Sequence, residues 1–318
     1  GRFGLDSSSR VVEIASNDGY LLQHFTARKI PVLGVEPAGN VAAAALNRGI
    51  PTEIAFFGRA TAERIAADHG QADLLIGNNV LAHVPDLNDF VAGLKHLLAS
   101  DGVITMEFPH LQRLMAENQF DTIYHEHFSY FSFVCVEQVF ARHGLTLFDV
   151  EQLPTHGGSL RIFARHADAR EPAVSERVSM LRAQEVDDGF LTLDRYLGFD
   201  EQVRRTKRAL LSFLIDAKER GKRIVGYGAP GKGNTLLNYC GIRTDFLDFT
   251  VDANPYKQGK YTPGTRIPIL APEAIRQARP DYVLILPWNL RDEISRAASF
   301  VRGWGGKFVT PIPHVQVF

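Results

Sequence analysis

The chain has 318 residues, enough for two domains of ordinary size with well-developed cores. Hydrophobic residues make up 45% and charged residues 22%, and 35 basic residues stand against 36 acidic ones. That balance excludes a global basic field for nucleic acid, so any anion must be bound locally. Cys135 and Cys240, both in expected helices, are the only two cysteines, which excludes a disulfide framework and a thiolate zinc site within these residues. No apolar run approaches a membrane span and no secretory leader opens the sequence, so a cytoplasmic protein is expected. The start at Gly1 rather than Met reads as a piece of something longer.

Val11-Val12-Glu13-Ile14-Ala15 is a β-branched run that leads into Ser16-Asn17-Asp18-Gly19 and then into a helical pattern over 20–28. Strand, tight loop and helix in that order aim backbone N–H groups at a ligand. A second strand, Val32–Val35, ends in Glu36, 23 residues after Glu13, where folds of this kind hold ribose hydroxyls. The rhythm continues with a helix over 38–48, a strand at 52–54, a helix over 59–69, a strand at 73–77, a helix over 86–99 and a strand at 102–107. Such alternation predicts a parallel sheet covered by helices on both faces. The first loop has Ser-Asn-Asp-Gly in place of G-x-G-x-x-G, which disfavours a pyrophosphate-bearing dinucleotide. It tolerates an adenosyl ligand without phosphate, and S-adenosylmethionine (SAM) is such a ligand.

Tyr124-His125-Glu126-His127 follows, flanked by Phe120, Ile123, Phe128, Tyr130 and Phe131. Apolar surroundings would shift the pKa of His and Glu towards proton transfer at neutral pH. His125 and His127 would share a side on an extended strand, but no H-E-x-x-H or further ligand cluster accompanies them, so no metal is expected. A helix over 133–143 leads to strands at 145–153 and 159–165, joined by Thr155-His156-Gly157-Gly158. That closing pair suits an antiparallel hairpin at the sheet edge, as in class I methyltransferases.

Residues 170–221 read as helices with a break near Asp187-Asp188-Gly189 and an apolar stripe through Leu191, Leu193, Tyr196, Leu197, Val203, Leu210, Leu211 and Leu214. The basic set Arg204, Arg205, Lys207 and Arg208 reads as a solvated face. A second α/β unit then has strands at 223–227, 247–251, 281–286 and 307–310. Gly226-x-Gly228-x-x-Gly231 opens a helix over 232–239, and Asp252 stands 26 residues after Gly226. Alone, this fits a dinucleotide fingerprint, and it is one residue short of a Walker A loop because Gly233 replaces the magnesium-binding Ser or Thr. A plain strand-to-helix turn is a third reading. The loop from Asn254 to Tyr261 and Pro287-Trp288-Asn289 sit beyond strand ends, where ligands bind in open sheets.

Glu13 to Gly19, Asn78-Asn79-Val80-Leu81-Ala82-His83, Tyr124 to Tyr130, His156-Gly157-Gly158-Ser159-Leu160-Arg161, Tyr227 to Thr235 and Asn254 to Gly259 together resemble the sugar C-methyltransferases. The resemblance covers essentially the whole chain. It implies a class I methyltransferase domain over 1–168, a helical linker over 169–221 and a smaller Rossmann-like domain over 222–318. It implies an enzyme that uses SAM to methylate C3 of a nucleotide-linked, usually thymidine-linked, 4-keto-deoxysugar in deoxysugar and antibiotic biosynthesis. His127 would be the base, with Glu126 and Tyr124 orienting and His83 donating to the oxyanion. A cysteine-rich zinc-binding region usually precedes the methyltransferase domain in this family and is not among these residues; Ala253 also stands where a basic residue is expected.

The cofactor candidates are Ser16, Asn17, Asp18, Glu36, Phe57, Asn78 and Asn79, with Glu36 for the ribose and Phe57 beside the adenine. The substrate candidates are His156, Gly158, Ser159, Arg161, Tyr227, Gly228, Lys232, Asn234, Asn254, Tyr256 and Lys257, the glycine-rich loop holding the sugar diphosphate. A monomer that needs neither nucleic acid nor membrane is expected. The competing reading is a nicotinamide-dependent oxidoreductase acting on a nucleotide-sugar through Gly226-x-Gly228-x-x-Gly231.

Overall fold

The computed structural model describes residues 2–318, and the chain divides into two compact units. The first takes the residues up to Gln112 together with Glu126–Thr192, and the second takes Arg113–His125 with Leu193–Phe318. The division falls inside the Tyr-His-Glu-His motif, between His125 and Glu126.

The first unit is built on β1 (Val11–Ile14), β2 (Val32–Val35), β3 (Thr52–Glu53), β4 (Ala72–Asn78), β5 (Leu98–Pro109), β6 (Leu145–Leu153) and β7 (Ser159–His166). Their order is β3-β2-β1-β4-β5-β7-β6, with β1 to β5 parallel and β7 antiparallel to both neighbours. That order, with its reversed penultimate strand, is the class I methyltransferase sheet. β1 is buried along its whole length, as a central parallel strand must be. Around the sheet run α1 (Gln23–Thr26), α2 (Gly39–Asn47), α3 (Arg59–His69), α4 (Leu87–Leu97), α6 (Phe133–Arg142) and α7 (Glu176–Asp187), while α5 (Leu111–Ala116) crosses the division. Of the pattern over 20–28, only the four residues of α1 are helical, because tight turns take up the rest.

One buried polar network ties this unit together. Glu185 of α7, 0% exposed, accepts from the Phe133 and Val134 amides at 2.8 and 2.9 Å and pairs with His110 Nε2 at 2.7 Å. It thereby satisfies the orphan N–H groups at the start of α6, which a buried helix end requires.

The second unit contains α8 (Leu193–Glu219), α9 (Gly231–Cys240), α10 (Ala274–Ala278) and α11 (Arg291–Ala297). Its strands are β8 (Ile224–Tyr227), β9 (Thr250–Val251), β10 (Ile269–Leu270), β11 (Tyr282–Ile285), β12 (Lys307–Thr310) and β13 (Gln316–Val317). The sheet has six strands rather than the expected four, because β10 and β13 are two-residue pieces too short to leave a pattern. The order β10-β9-β8-β11-β12-β13, parallel except for β13, repeats the plan of the first sheet up to its first reversed strand. The residues expected to form a linker are the helices α7 and α8, broken at 188–192, and each is part of a unit. Residues 113–125 pack on the second unit: Phe120 joins the core that includes Leu236, Leu237 and Trp288. Among the described residues no helix is long and apolar enough to cross a membrane.

Candidate active site

The loop after β1 is held in a conformation that L-residues seldom adopt, with φ of 56° at Ala15 and 51° at Asn17. Its clamp is Glu36, 6% exposed, whose carboxylate accepts from the Asn17 amide at 3.1 Å and from the Ala38 amide at 2.9 Å. Each carboxylate oxygen keeps a further lone pair for a ligand hydroxyl. Beside the clamp lies a cavity of about 380 Å³, lined among others by Val35, Pro37, Phe56, Phe57, Asn79 and His83. Phe57 is also packed edge-on against Phe90, at 5.3 Å between ring centroids, so it is a fixed wall. Phe56, 83% exposed, stands at the rim.

The other loop candidates are placed differently. Ser16 is fully buried and its Oγ lies against Gly34, where an added Cβ would come within 2.4 Å, so the serine packs under the sheet. Asp18 pairs with Arg48 at 2.7 Å on the surface. Asn78 closes β4 in register with Glu107, and Asn79, at φ 54°, lines the cavity.

Two buried acids flank this region without having been singled out by the sequence. Glu13 is 2% exposed, its Oε2 has no hydrogen-bond partner among the described residues, and burial pushes its carboxyl up to about 8. Glu107, 5% exposed, accepts from Arg161 Nη2 at 2.7 Å and Thr155 Oγ1 at 2.8 Å. Tyr20 has its phenol raised by burial and then by the charges of Glu13, Glu107 and Asp18, which locates those acids around it. A clamp with spare acceptor capacity and an aromatic-walled cavity fit an adenosyl ligand. The available signal for Glu13 was an acid inside a strand otherwise made of buried aliphatics.

On the far rim, His83 sits in a single 3-10 turn after β4 and faces His127, their ring centroids 4.9 Å apart. Tyr130 stacks edge-on against His127 at 5.5 Å. The loop that carries His127 is anchored there by the Phe128 and Ser129 amides, which both donate to the Ala82 carbonyl, at 2.8 and 3.3 Å. His156, at φ 55°, meets Asn79 Nδ2 through Nε2 at 3.2 Å. Glu107 braces the same hairpin turn through Thr155 and Arg161, and Ser159 Oγ bonds back to the Thr155 carbonyl at 3.1 Å. Gly158 is buried and gives its carbonyl to the His110 amide at 3.1 Å. The expected apolar surroundings are only partly present: Phe120 and Phe131 are buried and Tyr124 and His127 half-buried, but His125 and Glu126 are exposed, as are Ile123 and Phe128 at 45% and 64%. The motif is a loop, so His125 and His127 do not share a strand face.

In the second unit, the glycine-rich loop is packed tightly against its own sheet. Gly228 has φ of 87°, and a Cβ there would come within 2.5 Å of Pro287 Cδ. α9 follows Pro230, which offers no side-chain cap, and a Cβ on Gly231 would meet Tyr124 Cζ at 3.9 Å. Lys232 Nζ donates to Asn289 Oδ1 at 2.8 Å and lies 4.5 Å from the Trp288 ring centroid; burial lowers its ammonium, with Asp121 opposing. Asn234 Oδ1 is buried without a partner among the described residues. Tyr227, half-buried, ends β8, and burial raises its phenol. Asp252 is held as Glu36 is, accepting from the Ala229 amide at 2.8 Å and the Asn254 amide at 2.9 Å. Unlike Glu36, it is also bound by Lys257 Nζ, at 3.2 Å. That ammonium fills Oδ2, so a ribose diol would find a spare lone pair on Oδ1 alone, where Glu36 keeps one on each oxygen. Tyr256 is 82% exposed, and its amide donates to Asn254 Oδ1 at 3.0 Å.

Residues 154–313 match the family model of the C-methyltransferase C-terminal domain, and residues 2–150 match a methyltransferase domain. C-methyltransferase NovU of Streptomyces niveus is 40% identical over 317 residues, which cover 99% of this chain and 75% of NovU. The chain belongs to the C-methyltransferase family. It is a SAM-dependent C-methyltransferase acting on a small molecule, and SAM supplies the electrophilic methyl group on a sulfonium. Among solved structures, the YcgJ protein of Bacillus subtilis aligns at a TM-score of 0.43 with 10% identity, over 53% of this chain and 96% of that one. A SAM-dependent methyltransferase of Anabaena variabilis aligns at 0.42 with 13% identity, over 52% and 80%.

Proposed function

We propose that this C-methyltransferase acts on C3 of a nucleotide-linked 4-keto-deoxysugar, with thymidine diphosphate as the carrier, in deoxysugar biosynthesis for antibiotics. A carbon beside a ketone loses a proton only to a positioned base, and the enolate then needs a donor for its oxygen. In this reading His127 takes the C3 proton, His83 donates to the oxyanion, and Tyr124 and Glu126 orient the base or substrate. The observation that carries the reading is the pair of imidazoles, 4.9 Å apart, one of which lines the cofactor cavity.

Glu36 would hold the ribose of the cofactor and Phe57 the adenine, with Asn17 and Asn79 beside them; Asn78, Ser16 and Asp18 serve the shape of that site. His156, Gly158, Ser159 and Arg161 would bound the sugar. In the second unit the open start of α9 would take the diphosphate. Backbone N–H groups and Lys232 supply positive charge there, and Tyr227, Gly228, Asn234, Asn254, Tyr256 and Lys257 complete the loops. The enzyme would work as a cytoplasmic monomer without nucleic acid or membrane.

The test is incubation with methyl-labelled SAM and a dTDP-linked 4-keto-6-deoxysugar, with the product located by NMR. Label on C3, with turnover falling at least about 10²-fold in His127→Asn, is expected. Label on oxygen or another carbon, or full activity in that variant, would overturn the reading.

A further inference from the structure

We propose that Asp121 is a positioning residue for Tyr124, acting through its buried bond to Trp288; this rests on the reading above, in which Tyr124 serves the reaction. Asp121 is 0% exposed and Oδ2 accepts from Trp288 Nε1 at 2.8 Å, while Oδ1 is buried without a partner among the described residues. Such a placement is a poor choice for stability alone. A carboxylate out of water needs cations and several donors, and a packed aliphatic side chain would stand in its place at less cost. Burial drives its carboxyl up to about 7 against the Trp288 bond and the charge of Lys232. The titratable and charged groups around it are Lys232 and Cys240 of α9, with Lys207 of α8 acting on the same thiol.

What the acid adds is register. One acceptor meets one indole donor, and the neighbouring residues are fixed in the same way. Asn118 Nδ2 bonds Thr206 Oγ1, Gln202 Nε2 bonds the Met115 carbonyl at 2.7 Å, and the Phe120 ring meets Tyr239 at 5.2 Å. The Ile123 amide then closes on the Phe120 carbonyl at 3.0 Å. Tyr124 is the next residue, and its ring lies beside the uncapped start of α9. A slip of the segment by one residue would carry that ring about 3.5 Å along the chain, away from the helix start that the diphosphate is proposed to use.

The experiment compares Asp121→Ala, Asp121→Asn, Trp288→Phe and the Asp121→Ala/Trp288→Phe double variant. It measures kcat and KM for the dTDP-4-keto-sugar, the Kd of S-adenosylhomocysteine, and amide hydrogen exchange over 113–125. Asp121→Ala and Trp288→Phe are each expected to lose about 10- to 100-fold in kcat, with S-adenosylhomocysteine Kd unchanged and exchange faster over 119–125. The double variant should lose no more than the worse single one, because both remove the same tether. Asp121→Asn keeps an acceptor for the indole and should stay near wild type. Losses that multiply, wild-type kinetics in both single variants, or an Asp121→Asn defect as deep as that of Asp121→Ala would each overturn the proposal. If Asp121→Ala does not fold, Trp288→Phe set against Asp121→Asn decides. If the wild type does not turn over the sugar, the substrate reading fails by itself; unchanged exchange in Trp288→Phe would then overturn the tether separately.

Discussion

Replacing Glu13 with glutamine is expected to stabilise the ligand-free protein, and to do so more at high pH than at low. The carboxyl sits in β1 between Val12 and Ile14, 2% exposed, with one oxygen unpartnered. Burial raises it from an ordinary 4.5 to about 8, so the folded chain keeps a proton that the unfolded chain releases. A raised acid gives its full stability below the unfolded value, near 4.5, and loses it as pH climbs through the folded value, near 8. Between pH 5 and pH 8 that loss is on the order of 3 kcal/mol. For a unit of this size it is worth roughly 6–12 °C in Tm. Asp121 titrates in the same window in the same direction. The quantity to read is therefore the difference between variant and wild type, which leaves Asp121 common to both. Calorimetry at pH 5 and pH 8 should show the Tm advantage of Glu13→Gln growing by about that interval. A difference that stays constant with pH would refute the reasoning, since it would mean that Glu13 is ionised in the folded protein.

Three further outcomes follow from the geometry. Glu36→Ala removes the acceptor for two loop amides and the carboxylate proposed for the ribose, so S-adenosylhomocysteine affinity by calorimetry should fall about 10- to 100-fold. Glu185→Ala leaves His110 and the first amides of α6 without their acceptor in a dry interior. It should cost about 3–5 kcal/mol in urea unfolding, because three buried groups lose their partner at about 1–3 kcal/mol each. Phe56→Ser, at the cavity rim, should weaken S-adenosylhomocysteine binding while leaving Tm within about 2 °C, because an exposed side chain adds little to folding.

Much of this architecture could be read in the chain because local chemistry and tertiary role agree there. Val11-Val12-Glu13-Ile14 is too aliphatic to be anything but a central strand, and the closing pair 145–153 and 159–165, joined by Thr155-His156-Gly157-Gly158, marked the hairpin at the sheet edge. The helix over 59–69 and the acid at the tip of β2 were legible for the same reason: each is specified within one turn or one strand. The excursion of 113–125 onto the second unit was not. Its anchors, Gln202, Thr206 and Trp288, lie about 80 to 170 residues away in sequence, and no periodicity in 113–125 encodes them. β10 and β13 are pairs of residues added to an existing edge, where the partner strand and not the sequence of the pair decides the structure. The flanking aromatics of Tyr124 to His127 suggested a buried cluster, yet Phe128 points outward while its amide anchors the loop to Ala82. Glu13 and Glu107 were not singled out because what a strand acid faces is set by distant residues: Thr155 and Arg161 for Glu107, and no partner among the described residues for Glu13 Oε2.

The measurement that reaches most directly to the central claim is solvent-deuterium exchange at C3 of the 4-keto-sugar nucleotide, followed by NMR with S-adenosylhomocysteine in place of the methyl donor. Wild-type enzyme should exchange that hydrogen, and His127→Asn should slow the exchange by at least about 10²-fold while binding S-adenosylhomocysteine as before. Undiminished exchange in the variant would mean that some group other than this imidazole removes the proton.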